Sequence, residues 1–310
     1  MISVVIPVLN GGADLVRCLD AIGRQVLAEE VEIVVVDSGS RDGSADAARA
    51  RGARVHEIPA AEFGHGRTRN LGAELAQGET LVFTSQDAVA ADESWLATLT
   101  RSLVGSERVA GAYGRQLPHD DATPPERYFL DFLYGPEARV QRLARGDEPD
   151  FRQTLFSNVN SAMPRAVWRE LPFADDLIMS EDQEWSRRAL RAGYGLVYEP
   201  KAAVHHSHRY SVADAFRRFF DSGVSAERSY AAGGSGGEAL RRAASQYARG
   251  EVEWLWRTGQ RRWIPYAAVY ELAKYTGMQL GRRNRRLPRS LKRRFSTLSS
   301  YWDEPSRGAG

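Results

Sequence analysis

From Ile2 to about Leu103, short β-branched runs alternate with stretches of helical periodicity. The runs Ile2 to Ile6, Val31 to Val36, Ala53 to Ile58 and Thr80 to Thr84 are largely apolar, which suits strands covered on both faces. Between them, Ala13 to Val26, Gly43 to Arg51, Arg67 to Ala76 and Ser94 to Leu103 repeat apolar residues at helical spacing. This β-α-β-α succession predicts an α/β fold with a Rossmann-like, mostly parallel central sheet and helices on both faces. Sheets of this kind take ligands at the carboxyl ends of their strands.

Beyond Tyr113 the pattern loosens, and Pro118, Pro124, Pro125, Pro136 and Pro149 punctuate a charged, aromatic stretch as far as Phe156. Loops and short helices are expected there. Regularity returns with a strand at Val159 to Met163, a helix from Pro164, a helix over Ser180 to Ala192 and a strand over Gly195 to Tyr198. The run Ala232 to Gly237 predicts a flexible hinge, and Glu238 to Lys274 is predicted to be helical throughout.

Composition adds limits. With 310 residues, 43% hydrophobic and 26% charged, the chain can bury a real core. The lone Cys18 excludes an internal disulfide and favours a reducing, cytoplasmic setting. The opening MISVVIPVLN reads as a first strand and not as a signal peptide. Glu271 and Lys274 interrupt the most apolar late stretch, so no spanning helix is expected. The net charge of +2 hides a local cluster: Gly281 to Arg294 holds eight Lys/Arg and no acid, leaving the remainder net negative. A nucleic-acid binder carries its positive charge across a folded face, so that class is not expected.

Four segments carry candidate chemistry. Asp37, at the end of the second strand, faces the ligand edge and can accept hydrogen bonds from a base or ribose, although an Asp there also caps turns. Asp87, in Thr84-Ser85-Gln86-Asp87-Ala88, offers a hard oxygen ligand to magnesium or manganese. Ser180-Glu181-Asp182 opens a helix, with Ser180 the expected N-cap, and places carboxylates where a general base is needed. Half of the six histidines, His205, His206 and His208, lie within four residues, and imidazole suits borderline cations. A dehydrogenase reading fails, because the first strand runs into Pro7-Val8-Leu9-Asn10-Gly11-Gly12 and not into a G-x-G-x-x-G turn.

Taken in order, VVIPVLN, VVVDSGSRDGS, RNLGAELAQGETLVFTSQDA, SEDQEW and the histidine segment resemble the family-two glycosyltransferases of GT-A fold, over about residues 1 to 220. The resemblance implies a GT-A catalytic domain over 1–220, with a nucleotide-sugar half over 1–112 and an acceptor half over 113–220, followed by a helical region with a basic tail over 221–310. It places Pro7, Val8 and Asp37 around the nucleotide and Arg69 and Asn70 in the donor pocket. Ser85, Gln86 and Asp87 stand where the family carries its D-x-D motif. Ser85 replaces the first acid, and Asp87 remains as metal ligand. Asp182 is implied as the general base and His206 as a further metal ligand, the cation being Mg2+ or Mn2+.

EFGHGRTRN, the Gln-Asp form of the metal motif, FSNVNSAM and HHSHRYS are similar to bacterial rhamnosyltransferases of cell-surface polysaccharide assembly. That implies inverting transfer of L-rhamnose from dTDP-L-rhamnose, a nucleotide-diphosphate sugar donor, to a saccharide or lipid-linked acceptor. A UDP or GDP sugar, or a degenerate domain that binds without turnover, are the alternatives. Trp254, Trp256, Trp263, Tyr266, Tyr270 and Tyr275 before the basic tail suggest an interfacial face and peripheral contact with the inner side of the cell membrane.

Overall fold

The computed structural model describes residues 1–104, 108–144, 146–230 and 236–303. The first half reads β1 (Ile2–Val8), α1 (Gly12–Gly23), β2 (Val31–Asp37), α2 (Ser44–Arg49), β3 (Arg54–Glu57), α3 (His65–Leu75) and β4 (Thr80–Thr84). There follow β5 (Val89–Ala90), α4 (Trp95–Arg101), β6 (Val109–Leu117), α5 (Pro124–Leu133), β7 (Arg139–Gln141), β8 (Asn160–Pro164), α6 (Arg165–Glu170), α7 (Glu181–Arg191) and β9 (Gly195–His205). The chain then becomes helical, with α8 (Val212–Ser229), α9 (Gly236–Arg257), α10 (Ile264–Arg282) and α11 (Arg289–Phe295).

The strands form one sheet in the order β3-β2-β1-β4-β8-β6-β9-β5, with β7 paired to β9. β3, β2, β1 and β4 are mutually parallel, and β6 and β9 run the same way as these; β8 is antiparallel to both of its neighbours. Alternation along β1 sends Val4, Ile6 and Val8 to a core completed by α1 and α4, through Leu15, Leu19, Trp95 and Leu96. Val5 points to the opposite core with Phe83, Trp168, Phe173 and Trp185. Cys18 is part of the first core, where burial pushes its thiol up to about 12 and keeps it unreactive.

Three elements depart from the sequence expectation. β6 continues to Leu117, into the stretch read as loops. β9 runs past Tyr198 and Pro200 to His205, because its register against β6 shifts between the Gly114 and Gln116 pairings, and the proline falls within that irregularity. The long C-terminal helix is broken between α9 and α10: Gly259 takes a left-handed φ of 75°, a short 3-10 turn covers Arg261–Trp263, and Pro265 sits in the first turn of α10. Most of the expected hinge at 232–237 lies outside the described residues, with Gly236 and Gly237 opening α9.

The helical region is bound closely to the sheet domain, and α8 runs through the expected boundary at residue 220. α8 and α10 pack backbone to backbone at glycines: a Cβ on Gly277 or Gly281 would lie 2.3 Å from the Phe216 carbonyl oxygen or 2.0 Å from that of Phe220. The tail folds back over α8. Asp221 accepts hydrogen bonds from the Thr297 backbone and hydroxyl, and Trp302 is buried against Phe220.

Candidate active site

A cleft of about 550 Å3 lies across the carboxyl ends of β1 and β4, the start of α7 and the segment after β9. Its lining includes Pro7, Val8, Arg69, Ser85, Gln86, Asp87, Asp182 and His206 from the expected set. Asp37 and Asn70 are not among the lining residues.

Asp37 ends β2 and is 1% exposed. One carboxylate oxygen accepts from the backbone N–H groups of Gly39 and Ser40 at 3.0 and 2.8 Å, while the other is buried with no partner. A buried, unpaired acceptor is costly, and it fits a position that a ligand N–H or O–H completes. Asn70 is differently engaged. Its side chain donates to the Phe173 carbonyl and accepts from the Phe173 N–H and the Trp168 indole, so it fastens α3 to the α6 segment. Gln86 lines the cleft, but its amide clamps the Leu9 backbone in both directions, at 2.9 and 3.2 Å.

At the start of α7 two adjacent acids are driven apart. Glu181 is buried, bonds to Arg69 at 2.7 Å and accepts from the Asn158 amide; burial favours its neutral form, yet Arg69, His65 and the hydrogen bonds it accepts together outweigh this and hold its carboxyl below the usual range. Asp182 is pushed up to about 7, first by burial and then by the Glu181 charge, with Arg69 opposing. Two carboxyls with separated titrations have separate roles: Glu181 stays charged and paired, while Asp182 can take up a proton near neutrality. The backbone N–H groups of Asn158 and Gln183 hold Asp182 at 3.2 and 2.8 Å. Ser180 occupies the N-cap position but makes no side-chain cap, and its left-handed φ of 62° is unusual for a residue with a Cβ. The capping role expected for it is therefore absent.

The third group gathers Asp87 with His206 and His208. Their ligand atoms all lie within 4.8 Å of one another, with His206 Nε2 at 3.7 Å and His208 Nδ1 at 3.6 Å from the Asp87 carboxylate. Burial pushes His206 down to about 3 and lowers His208, although Asp87 pulls each the other way, so both imidazoles are neutral and carry a free lone pair. Gln116 fixes which one. Its Oε1 lies 2.9 Å from His206 Nδ1 while its amide donates to Ser157 at 3.0 Å, which orients the oxygen as acceptor and leaves Nε2 facing Asp87. One carboxylate and two neutral imidazoles form a donor set that suits manganese or a related divalent ion. His205 is outside this group and stacks on His119 at 6.3 Å.

The sequence left open which of His205, His206 and His208 joins the metal group, and it assigned no role to Gln116, Ser157 or Asn158. The last two lie in FSNVNSAM, which was visible as a segment without a role, whereas Gln116 sits at a strand end that no periodicity marks.

A cleft at the strand ends of an α/β sheet, with a separated acid pair and a carboxylate-imidazole group, has the make-up of an enzyme active site. Residues 3–169 match the family described as Glycosyl transferase family 2. The O-antigen chain rhamnosyltransferase RfbN of Salmonella typhimurium is 32% identical over 97% of this chain and 96% of its own length. The O-antigen chain rhamnosyltransferase WbaN of Salmonella anatum is likewise 32% identical, over 88% of this chain and 86% of its own. The mannosyltransferase PcManGT from Pyrobaculum calidifontis, solved with GDP-Man and Mn2+, superposes with a TM-score of 0.60 at 20% identity, covering 90% of this chain and 86% of that one. The chain belongs to glycosyl transferase family 2, has the GT-A fold and is a glycosyltransferase.

Proposed function

We propose that this glycosyltransferase moves L-rhamnose from dTDP-L-rhamnose, with inversion, to a hydroxyl of a saccharide or lipid-linked acceptor in cell-surface polysaccharide synthesis. The two O-antigen rhamnosyltransferases aligned over most of the chain support rhamnose as the sugar. The chemistry rests on one observation above all: Asp182 and the Asp87, His206 and His208 group line the same cleft.

In this reading Asp182 takes the proton of the acceptor hydroxyl as its oxygen forms a bond to the anomeric carbon. The bond from that carbon to the diphosphate oxygen breaks, and dTDP departs with the electron pair. A divalent cation held by Asp87, His206 and His208 would supply positive charge to the leaving diphosphate. Arg69 keeps Glu181 ionised and in place, so that its charge adds to burial in raising the titration of Asp182. The unpartnered oxygen of Asp37 suits a donor N–H or O–H of the nucleotide.

A further part of the reading is peripheral contact with an anionic membrane at the cytoplasmic face. Arg283, Arg285, Arg286, Arg289, Arg293 and Arg294 are exposed in support of it, although Arg289 and Arg293 pair with Asp303. Among the described residues no helix is long and apolar enough to cross a membrane.

The donor is tested by thermal shift with dTDP-L-rhamnose, UDP sugars and GDP sugars in the presence of Mn2+. A ligand that binds only the folded state raises its melting temperature with concentration. dTDP-L-rhamnose is expected to give the largest rise, and a larger rise with a UDP or GDP sugar would replace it as donor.

A further inference from the structure

Beside the active-site cleft lies a second space of about 530 Å3 between α5, α8, α9 and α10, and it has a different character. Its walls are mainly apolar, with Phe129, Phe132, Phe151, Phe219, Tyr247 and Met278 among them. Phe129, Leu133, Phe151, Phe219, Lys274 and Met278 line both spaces, so the apolar one adjoins the cleft that holds Asp182. Leu272 and Tyr275 also line it and are 64% and 45% exposed, which opens it outward along α10. Protein interiors pack without voids of this size, and an apolar space of several hundred cubic ångströms walled by aromatic rings has the form of a ligand site.

Resting on the acceptor reading above, we propose that this space holds the hydrocarbon chain, alkyl or prenyl, of an amphiphilic acceptor whose hydroxyl-bearing head lies in the cleft. The character and the position of the space point to the occupant. A wholly polar acceptor would have no use for the aromatic walls, and a detached apolar molecule would have no reason to lie beside the reacting centre. A chain entering between Leu272 and Tyr275 would lie along Met278 and Phe219, which line both spaces. Lys274, 6% exposed, is the cation common to both spaces; its ammonium bonds Glu271 at 2.7 Å and lies 4.5 to 5.6 Å from the rings of Phe129, Phe219, Tyr247 and Tyr270. An anionic linkage between chain and head would lie beside this charge.

The test uses the full-length protein and n-alkyl phosphates of six, eight and ten carbons, below their aggregation concentrations, with binding read by calorimetry. Affinity is expected to rise about 2- to 4-fold per methylene, hence at least about 15-fold from six carbons to ten. Ala248→Trp and, separately, Ala243→Trp place an indole into the space from α9 and are expected to abolish that rise while dTDP binding stays unchanged. Intact dTDP binding shows that the variants fold and that the donor site is separate. Affinity independent of chain length, or an undiminished rise in both plugged variants, would overturn the proposal. Loss of alkyl binding with intact dTDP binding bears on the chain pocket alone, whereas failure of the nucleotide to bind the wild-type protein bears on the function proposed above.

Discussion

Asp182 carries the clearest residue-level expectations, because its carboxyl titrates near 7 where an unperturbed Asp titrates near 4. A base must be unprotonated to act, so transfer is expected to fall as pH drops through about 7. Asp182→Asn should lower turnover about 10²- to 10⁴-fold with donor affinity nearly unchanged; a variant retaining a tenth of wild-type turnover would move the role to Glu181. Stability runs the opposite way. The folded protein holds this proton more tightly than the unfolded chain, so between about pH 4 and 7 stability falls as pH rises. Asp182→Asn removes that loss, and its melting temperature should exceed wild type by more at pH 8 than at pH 5. An equal difference at both pH values would mean that the carboxylate is not strained by burial. Gln116 acts through His206: Gln116→Leu should weaken Mn2+-dependent dTDP binding about 10- to 100-fold without changing metal-free dTDP binding. If the metal-dependent part is unaltered, the tautomer argument fails. Asp182 and Asp87 could be found from the sequence because their motifs lie at strand and helix ends. Gln116 could not, since its importance comes only from the ring nitrogen it meets 90 residues away.

At the level of elements, β1, β2 and β4 were legible because strands covered on both faces leave near-continuous apolar runs, whereas β3, RVHE, is a largely exposed edge strand without such a run. β9 was readable only in its first four residues. Its remainder, EPKAAVH, mixes charge, proline and small residues, and it stays in the sheet because β6 and β5 pair with it, whereas β7 pairs with Leu196, Val197 and Tyr198 before it. The junction of α8 and α10 was invisible, since glycines at close approaches carry no periodic signal. It also has a consequence for the site: α10 brings Tyr270, Lys274 and Met278 to the cleft, and Gly277 and Gly281 set how near it can come. Gly281→Val is expected to destabilise the fold by about 1–3 kcal/mol in urea denaturation, as overpacking forces the two helices apart. Wild-type stability in this variant would show that the helices separate freely.

Over the whole molecule, the aromatic face expected before the basic tail is divided. Trp256 and Tyr275 are exposed, but Tyr270 is buried in the cleft and Trp254 packs on Tyr128, because α9 and α10 cover the acceptor side instead of standing apart. The tail from Thr297 to Trp302 is likewise docked on α8, so deleting it would damage the fold as well as the charge. Membrane contact is better tested by replacing Arg283, Arg285 and Arg286 with glutamine. Wild-type protein should sediment with anionic vesicles at low salt and be released as salt screens the charges. At about 1 kcal/mol per basic residue, the triple variant should bind about 100-fold more weakly. Equal sedimentation with neutral vesicles, or no loss in the variant, would remove the electrostatic contact.

Asp87, His206 and His208 are proposed to form one cation site serving the nucleotide cleft. Electron paramagnetic resonance of Mn2+ titrated into the protein with dTDP present tests it most directly, since bound and free manganese give different signals. One tightly held Mn2+ per chain is expected in the wild type, with its loss in Asp87→Ala and weaker binding in His206→Ala and His208→Ala. Manganese held equally well by wild type and all three variants would contradict it.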